Sequence, residues 1–315
     1  MRRALSKAAV AVAATTTLLW RAGSATTTEP LPVYMLVSGE EVTHAVAHGE
    51  TLGHIAQRFG MQVQLAATIN RLPDVNHLRL GQRLQLSTRH IVPAKSADSI
   101  VINVADLRLY WVRDGALMAS FPVGVGREDW ETPSGHYTIV GRRRDPVWHV
   151  PKSIQREMKD RGEPVKKRVE PGPDNPLGKF WLQLSAPGYG IHGTNAPWSV
   201  GKFTTHGCVR LRPDDIEWLF NNVPTGTPVD IIDEPVKVAR VGDDTVLLEV
   251  HTRSTGHAKD VVGAVVERLQ QAGLADVVDL NAAARVVRDG WGVAIDVSKK
   301  PRAPGDVMAR GAAGS

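Results

Sequence analysis

The 315-residue sequence holds one cysteine, Cys208. No internal disulfide can form, so the fold must rest on packing and polar pairing. Beyond the N-terminus no apolar stretch is long enough to cross a bilayer, and the N-terminal one, residues 8–20, is itself short for a span. Net charge is scarce as well. Of the formal +5, four charges (Arg2, Arg3, Lys7 and Arg21) sit in the first 24 residues, which contain no acid, and this leaves +1 for the remainder. A near-neutral body lacks the concentrated basic face that nucleic-acid binding requires. Two local basic runs, Arg142-Arg143-Arg144 and Lys166-Lys167-Arg168, read as solvated loop or strand edge, with contact to an anionic polymer as the alternative.

What is present begins with an export signal, expected over residues 1–25. A basic start precedes the apolar stretch, and Ala22-Gly23-Ser24-Ala25 offers small residues for cleavage; an uncleaved anchor is the competing reading. No cysteine near that point suits a lipid anchor. Residues 26–32 read as linker. Residues 42–87 then read as strand, helix, helix, strand. Leu52, Ile55, Ala56 and Phe59 form one apolar stripe, Thr51 suits an N-cap and Gly60 a stop. Val63, Leu65 and Ile69 mark the second helix. Three histidines, His44, His48 and His54, match no metal-ligand spacing, and neither metal nor cofactor is expected.

From residue 99 the texture becomes short strands separated by Gly and Pro, with Asp114-Gly115 as a hairpin turn. This predicts a mainly β chain, with a sandwich-like or barrel-like domain over 99–233. One helix is predicted from Pro213 to about Asn221, with Asp214, Asp215 and Glu217 complementing its dipole. A small α+β extension follows over 236–300, with strands at 245–251 and 293–297 and a helix at 258–272. The six tryptophans from Trp111 to Trp218 read mostly as core, with stacking on sugars as the alternative.

The chemistry-bearing stretch is Ile191-His192-Gly193-Thr194 followed by Thr205-His206-Gly207-Cys208-Val209-Arg210. A thiol attacks a carbonyl as thiolate, and free cysteine is mostly thiol at neutral pH. His206 shares a tight turn with Cys208 and is poorly placed to meet the sulfur. His192 ends a strand, and antiparallel strand ends are expected to bring it to Cys208 as a base. The Gly193 carbonyl is the candidate to orient that base. Gly207 permits a sharp turn in which the Gly207 and Cys208 amides converge as an oxyanion hole. From these residues alone, a buried thiol in an ordinary turn reads equally well.

Two resemblances sharpen this. Residues 42–87 resemble a LysM module through His48-Gly49-Glu50-Thr51-Leu52, Phe59-Gly60, Ile69-Asn70 and Leu78-Arg79-Leu80-Gly81-Gln82-Arg83-Leu84. That implies binding of N-acetylglucosamine-containing glycans such as peptidoglycan strands. The His192 and Thr205-to-Arg210 segments, with Thr132-Pro133-Ser134-Gly135, Trp148-His149-Val150-Pro151 and Asn175-Pro176-Leu177-Gly178, resemble the L,D-transpeptidases of the YkuD-like fold. The resemblance implies that Cys208 attacks a peptidoglycan tetrapeptide stem after its third residue. D-Ala is released, and the acyl group passes to an amine on another stem, giving a 3→3 cross-link, or on a wall-anchored lipoprotein. It implies His192 as base, Gly193 as its orienting group, His206 and Gly207 on the oxyanion side, and Arg210 and Thr205 at the substrate. Arg210 stands where some members carry Asn. The insertion over 153–173 reads as a lid or as plain surface loop. The alternatives are a carboxypeptidase-type cysteine hydrolase and a noncatalytic LysM wall-binding protein. All three place the protein in the periplasm or cell envelope.

Overall fold

The computed structural model describes residues 33–94, 96–251 and 261–299. The expected signal and linker lie outside the described residues, as does the start of the helix expected at 258.

Strand β1 (Glu41–Ala45) pairs antiparallel with β2 (Arg83–Ser87), His44 opposite Leu84. Helices α1 (Leu52–Phe59) and α2 (Val63–Ile69) lie between them. Thr51 Oγ1 accepts the His54 N–H at 3.2 Å, and Gly60, at φ 69°, turns α1 off through a left-handed C-cap. Leu52, Ile55, Ala56, Leu65, Leu84 and Leu86 are buried between helices and strands. This core is not self-contained, because Val293 from the far end of the chain is buried within it.

The main sheet is built from β3 (Ser99–Asn103), β4 (Arg108–Arg113), β5 (Ala116–Pro122), β6 (Gly135–Arg144), β7 (Phe180–Leu184), β8 (Gly190–His192), β9 (Val209–Arg210) and β10 (Pro228–Ile232). Their order is β9-β8-β7-β6-β10-β3-β4-β5. Helix α3 (Lys152–Asp160) opens the insertion. Helix α4 (Pro213–Asn222) presents Ile216, Leu219 and Phe220 to the core with Leu182, Ile191 and Val209. A mainly β fold with a curled central sheet is thus what the chain adopts.

Five of the six tryptophans depart from the core expectation, Trp218 among them at 38% exposed. Trp111 is buried, but Trp130, Trp148 and Trp181 line a cleft and Trp198 is 67% exposed. Trp181 is the clearest case: it alternates with buried Phe180 and Leu182, and strand alternation sends it to the opposite face.

The C-terminal region adds β11 (Val236–Val241), β12 (Thr245–Val250), α5 (Val261–Gln271) and an unanticipated α6 (Leu280–Asp289). Asp279 caps α6 by accepting from Asn281 and Ala282, and Gly290 ends it. A fully buried polar knot joins this region to the others. Lys237 Nζ lies 2.5 Å from Asp106 Oδ2 and 3.1 Å from Glu249 Oε1, and donates to the Ile91 carbonyl at 2.8 Å. Glu249 also contacts His90 Nδ1 at 2.9 Å and His251 Nε2 at 2.7 Å. His90, Glu249 and His251 make the donor set of a metal site, but the Lys237 ammonium already supplies the cation there.

Removing one partner of such a buried network leaves uncompensated charge. Lys237→Met should therefore lower stability by about 3–5 kcal/mol, read by urea unfolding. Acid should act in the same direction. Burial, reinforced by the Arg108 charge, pushes His90 down to about 4 from its ordinary 6.5. Unfolded chains bind that proton first, so stability falls as pH drops from 6.5 towards 4. Burial alone would raise the Glu249 carboxyl, but Lys237 and the two histidines hold it well below its ordinary 4.5, so its own loss of stability follows as pH falls below that value.

Candidate active site

Strand alternation assembles the site. β7 pairs antiparallel with β8, with Trp181 opposite His192 and Leu182 opposite Ile191. β8 pairs parallel with β9, with Ile191 beside Val209 and His192 beside Arg210. Leu182, Ile191 and Val209 share the core face. Trp181, His192, Cys208 and Arg210 therefore share the other face, which lines a cleft of ≈390 Å³. The antiparallel arrangement expected from the sequence is corrected here. Parallel neighbours need a crossover of a dozen or more residues, and residues 193–208 supply it, pairing Phe203–Thr205 with Val125–Gly126 on the way.

His192 is 3% exposed, and its ring stacks on Trp181 with centroids 5.7 Å apart. Its Nδ1 lies 2.6 Å from the Gly193 carbonyl oxygen. A carbonyl only accepts, so Nδ1 carries the proton and Nε2 keeps its lone pair. Burial, then the Arg210 charge, push His192 down to about 3, so the ring rests neutral. Gly190, beside it, cannot be larger: a Cβ there would overlap the Trp181 indole.

Cys208 closes a turn braced by Thr205. The Thr205 hydroxyl donates to the Cys208 carbonyl at 2.6 Å and accepts the Gly207 N–H at 3.1 Å. Gly207 sits at φ 97°, where a Cβ would also lie 2.7 Å from the Tyr189 ring. One expectation changes. The Gly207 amide is spent on Thr205, while the Cys208 N–H has no partner among the described residues. The Thr205 hydroxyl is engaged on both sides by the turn, and the residue lines the cleft. The thiol's own hydrogen bond goes to the Gly188 carbonyl at 3.7 Å, not to His192. Burial raises the Cys208 thiol above its ordinary 9.0; the Gly190 N–H and Arg210 pull the other way and do not prevail.

His206 turns away from the sulfur. Its Nε2 lies 2.6 Å from Glu157 of α3, and its ring packs edge-on against Trp130. Glu157 also receives Arg127 at 3.1 Å and Arg161 at 2.8 Å. Donation from His206 is the largest influence holding the Glu157 carboxyl low. The insertion is therefore tied to the Cys208 turn, and with Trp148, Pro151 and Ile154 it walls the cleft. Arg210 donates from Nη1 to Ser199 Oγ at 2.9 Å, while its buried Nε has no partner among the described residues. Asn175, fully buried, donates to the Pro146 carbonyl at 2.8 Å and accepts the Leu177 N–H at 2.9 Å. Sequence reading quoted Asn175 only within a motif and gave no role to Trp130, Trp181 or Glu157.

Residues 97–231 match the family model of the L,D-transpeptidase catalytic domain, and residues 44–87 match that of the LysM domain. Over 217 residues the chain is 38% identical to a protein of Escherichia coli K12 named probable L,D-transpeptidase ErfK/SrfK, covering 68% of this chain and 70% of that one. Over 229 residues it is 34% identical to probable L,D-transpeptidase YbiS of the same strain, covering 71% and 74%. A crystal structure of L,D-transpeptidase 3 from Mycobacterium tuberculosis aligns at a TM-score of 0.35 and 17% identity, over 66% of this chain and 97% of that one. On the sequence matches, this chain belongs to the L,D-transpeptidase family, its catalytic domain preceded by a LysM domain.

The neutral resting pair has a measurable consequence. Alkylation of Cys208 by iodoacetamide should climb only through alkaline pH, above the ordinary thiol range, with no inflection near 6–7 from a titrating imidazole. A plateau reached at neutral pH would contradict a resting thiol.

Proposed function

We propose that this protein is a peptidoglycan L,D-transpeptidase whose nucleophile is Cys208 and whose base is His192. The observation that carries it is one face of β8 and β9 presenting His192, Cys208 and Arg210 together in a walled cleft. The Cys208 side chain turns from the Gly188 carbonyl towards His192 Nε2. Sulfur attacks the carbonyl carbon of the third stem residue while Nε2 takes the thiol proton. The Cys208 N–H faces the developing oxyanion, and the Gly193 carbonyl stabilises the imidazolium through Nδ1. The C–N bond then breaks, and His192 returns its proton to the leaving D-Ala amine. An acceptor amine attacks the thioester, loses its proton to His192 and releases the thiol. A second stem as acceptor gives a 3→3 cross-link; a lysine of an anchored lipoprotein gives protein attachment.

His206 and Gly207 shape the turn under the oxyanion side, and Arg210 receives the carboxylate of the departing residue, a charge-assisted contact that suits its unpartnered Nε. The LysM domain holds glycan strands. Residues 1–25 direct export, placing the enzyme in the cell envelope; no helix among the described residues is long and apolar enough to cross a membrane.

Purified protein incubated with tetrapeptide stems should give free D-Ala and cross-linked dimers; free tripeptide alone would favour the hydrolase. Cys208→Ala should abolish both products, and His192→Gln should lower kcat by about 10²–10⁴-fold. Intact mass after carbapenem treatment should show one adduct on the wild type and none on Cys208→Ala.

A further inference from the structure

Four side chains stand in a row across four adjoining strands. Arg143 of β6 is in register with Trp181, Trp181 with His192, and His192 with Arg210. The basic run Arg142-Arg143-Arg144 is divided by the same alternation. Arg142 lies over the Phe220 ring at 4.5 Å and Arg144 over Phe180 at 5.0 Å, on the core side. Arg143 alone of the three lines the cleft, where it is exposed at the mouth and has no carboxylate partner among the described residues. The residues lining the cleft include two guanidinium groups, Arg143 and Arg210, and no aspartate or glutamate.

We infer that Arg143 is a specificity-determining residue that binds a second carboxylate of the acyl donor, on the side chain of the residue whose carbonyl is attacked. This rests on the transpeptidase reading. Adjacent strands lie about 4.8 Å apart, so the backbones of Arg143 and His192 are separated by about 10 Å and those of Arg143 and Arg210 by about 14 Å. A donor whose carbonyl sits at His192 and Cys208 reaches Arg210 with the carboxylate of its departing residue. A side chain on the attacked residue extends the opposite way along the row, over the Trp181 indole, to Arg143. A planar guanidinium takes a carboxylate through paired N–H bonds, whereas a carboxamide offers one acceptor oxygen and no charge. With no acid in the lining, the field of both arginines stays directed into the cleft. The favoured substrates are accordingly stems whose third residue bears a free carboxylate, in preference to the amidated form.

The test uses two soluble tetrapeptides that differ only in a carboxylate or carboxamide on the third residue's side chain, with D-Ala release as the readout. The wild type should favour the carboxylate by about tenfold in kcat/KM, chiefly through KM, as expected for a charged hydrogen bond at an exposed position. Arg143→Gln should remove that preference by lowering kcat/KM for the carboxylate stem much more than for the carboxamide stem, and Arg143→Glu should reverse it. The wild-type preference should shrink in high salt. Turnover of both stems without discrimination, or an equal fall on both in Arg143→Gln, overturns this inference and leaves the transpeptidase reading standing. Absence of turnover of either stem by the wild type overturns both.

Discussion

The parallel register between β8 and β9 is the constraint on which the rest of the site depends. Ile191 and Val209 are driven into the core under α4, and each buried aliphatic side chain of this kind contributes about 1.5–3 kcal/mol. Their neighbours have no choice of face. His192, Cys208 and Arg210 are pointed into the cleft because the residues between them are oil-like. A slip of one residue would bury all three and expose the aliphatic pair, so the geometry of the chemistry is secured by apolar burial. The same alternation places Trp181 against His192 and separates Arg143 from Arg142 and Arg144.

What could be read from the sequence was local. The two LysM helices carry their own stops and stripes, so Thr51, Gly60 and the Leu52-Ile55-Ala56 face were legible residue by residue. The helix after Cys208 was legible for the same reason, with Pro213 and its acids at the start. Strand partners are not local, and the pairing of β8 with β9 was misjudged because nothing in residues 193–208 announces a crossover. α6 was legible in principle from Asp279 and Gly290 as caps and from the Ala283, Val286 and Val287 face, and was missed because that face is built of small side chains. α3 was obscured by the surrounding charge and Pro/Gly content. The tryptophans were misassigned because bulk predicts burial only where the strand's parity is known.

The buried knot around Lys237 was beyond sequence reading altogether, since its members come from positions 90, 106, 237 and 249. It has a mechanical meaning. With Val293 buried in the LysM core and Gln62 donating to the Gly290 carbonyl, the LysM domain is bonded to the C-terminal region instead of hanging from a linker. Excising residues 42–87 would expose that apolar surface and break hydrogen bonds, so loss of activity in such a deletion would report misfolding as readily as loss of glycan binding.

Electrostatics within the cleft set the order of events. With the Cys208 thiol raised and His192 depressed to about 3, the proton stays on sulfur at rest, and a premature thiolate–imidazolium pair is disfavoured. Arg210 contributes to both shifts with opposite effect: its charge favours the thiolate and opposes the imidazolium. On the proposed reading, a substrate carboxylate seated on Arg210 offsets that charge. His192 becomes more basic at the moment a carbonyl arrives at Cys208, and burial of the ring by substrate acts against this by excluding water. The attack must then couple proton transfer to S–C bond formation instead of drawing on a standing thiolate. On the same reading, a single cysteine could serve as nucleophile while remaining unreactive between turnovers, because oxidants also attack the thiolate.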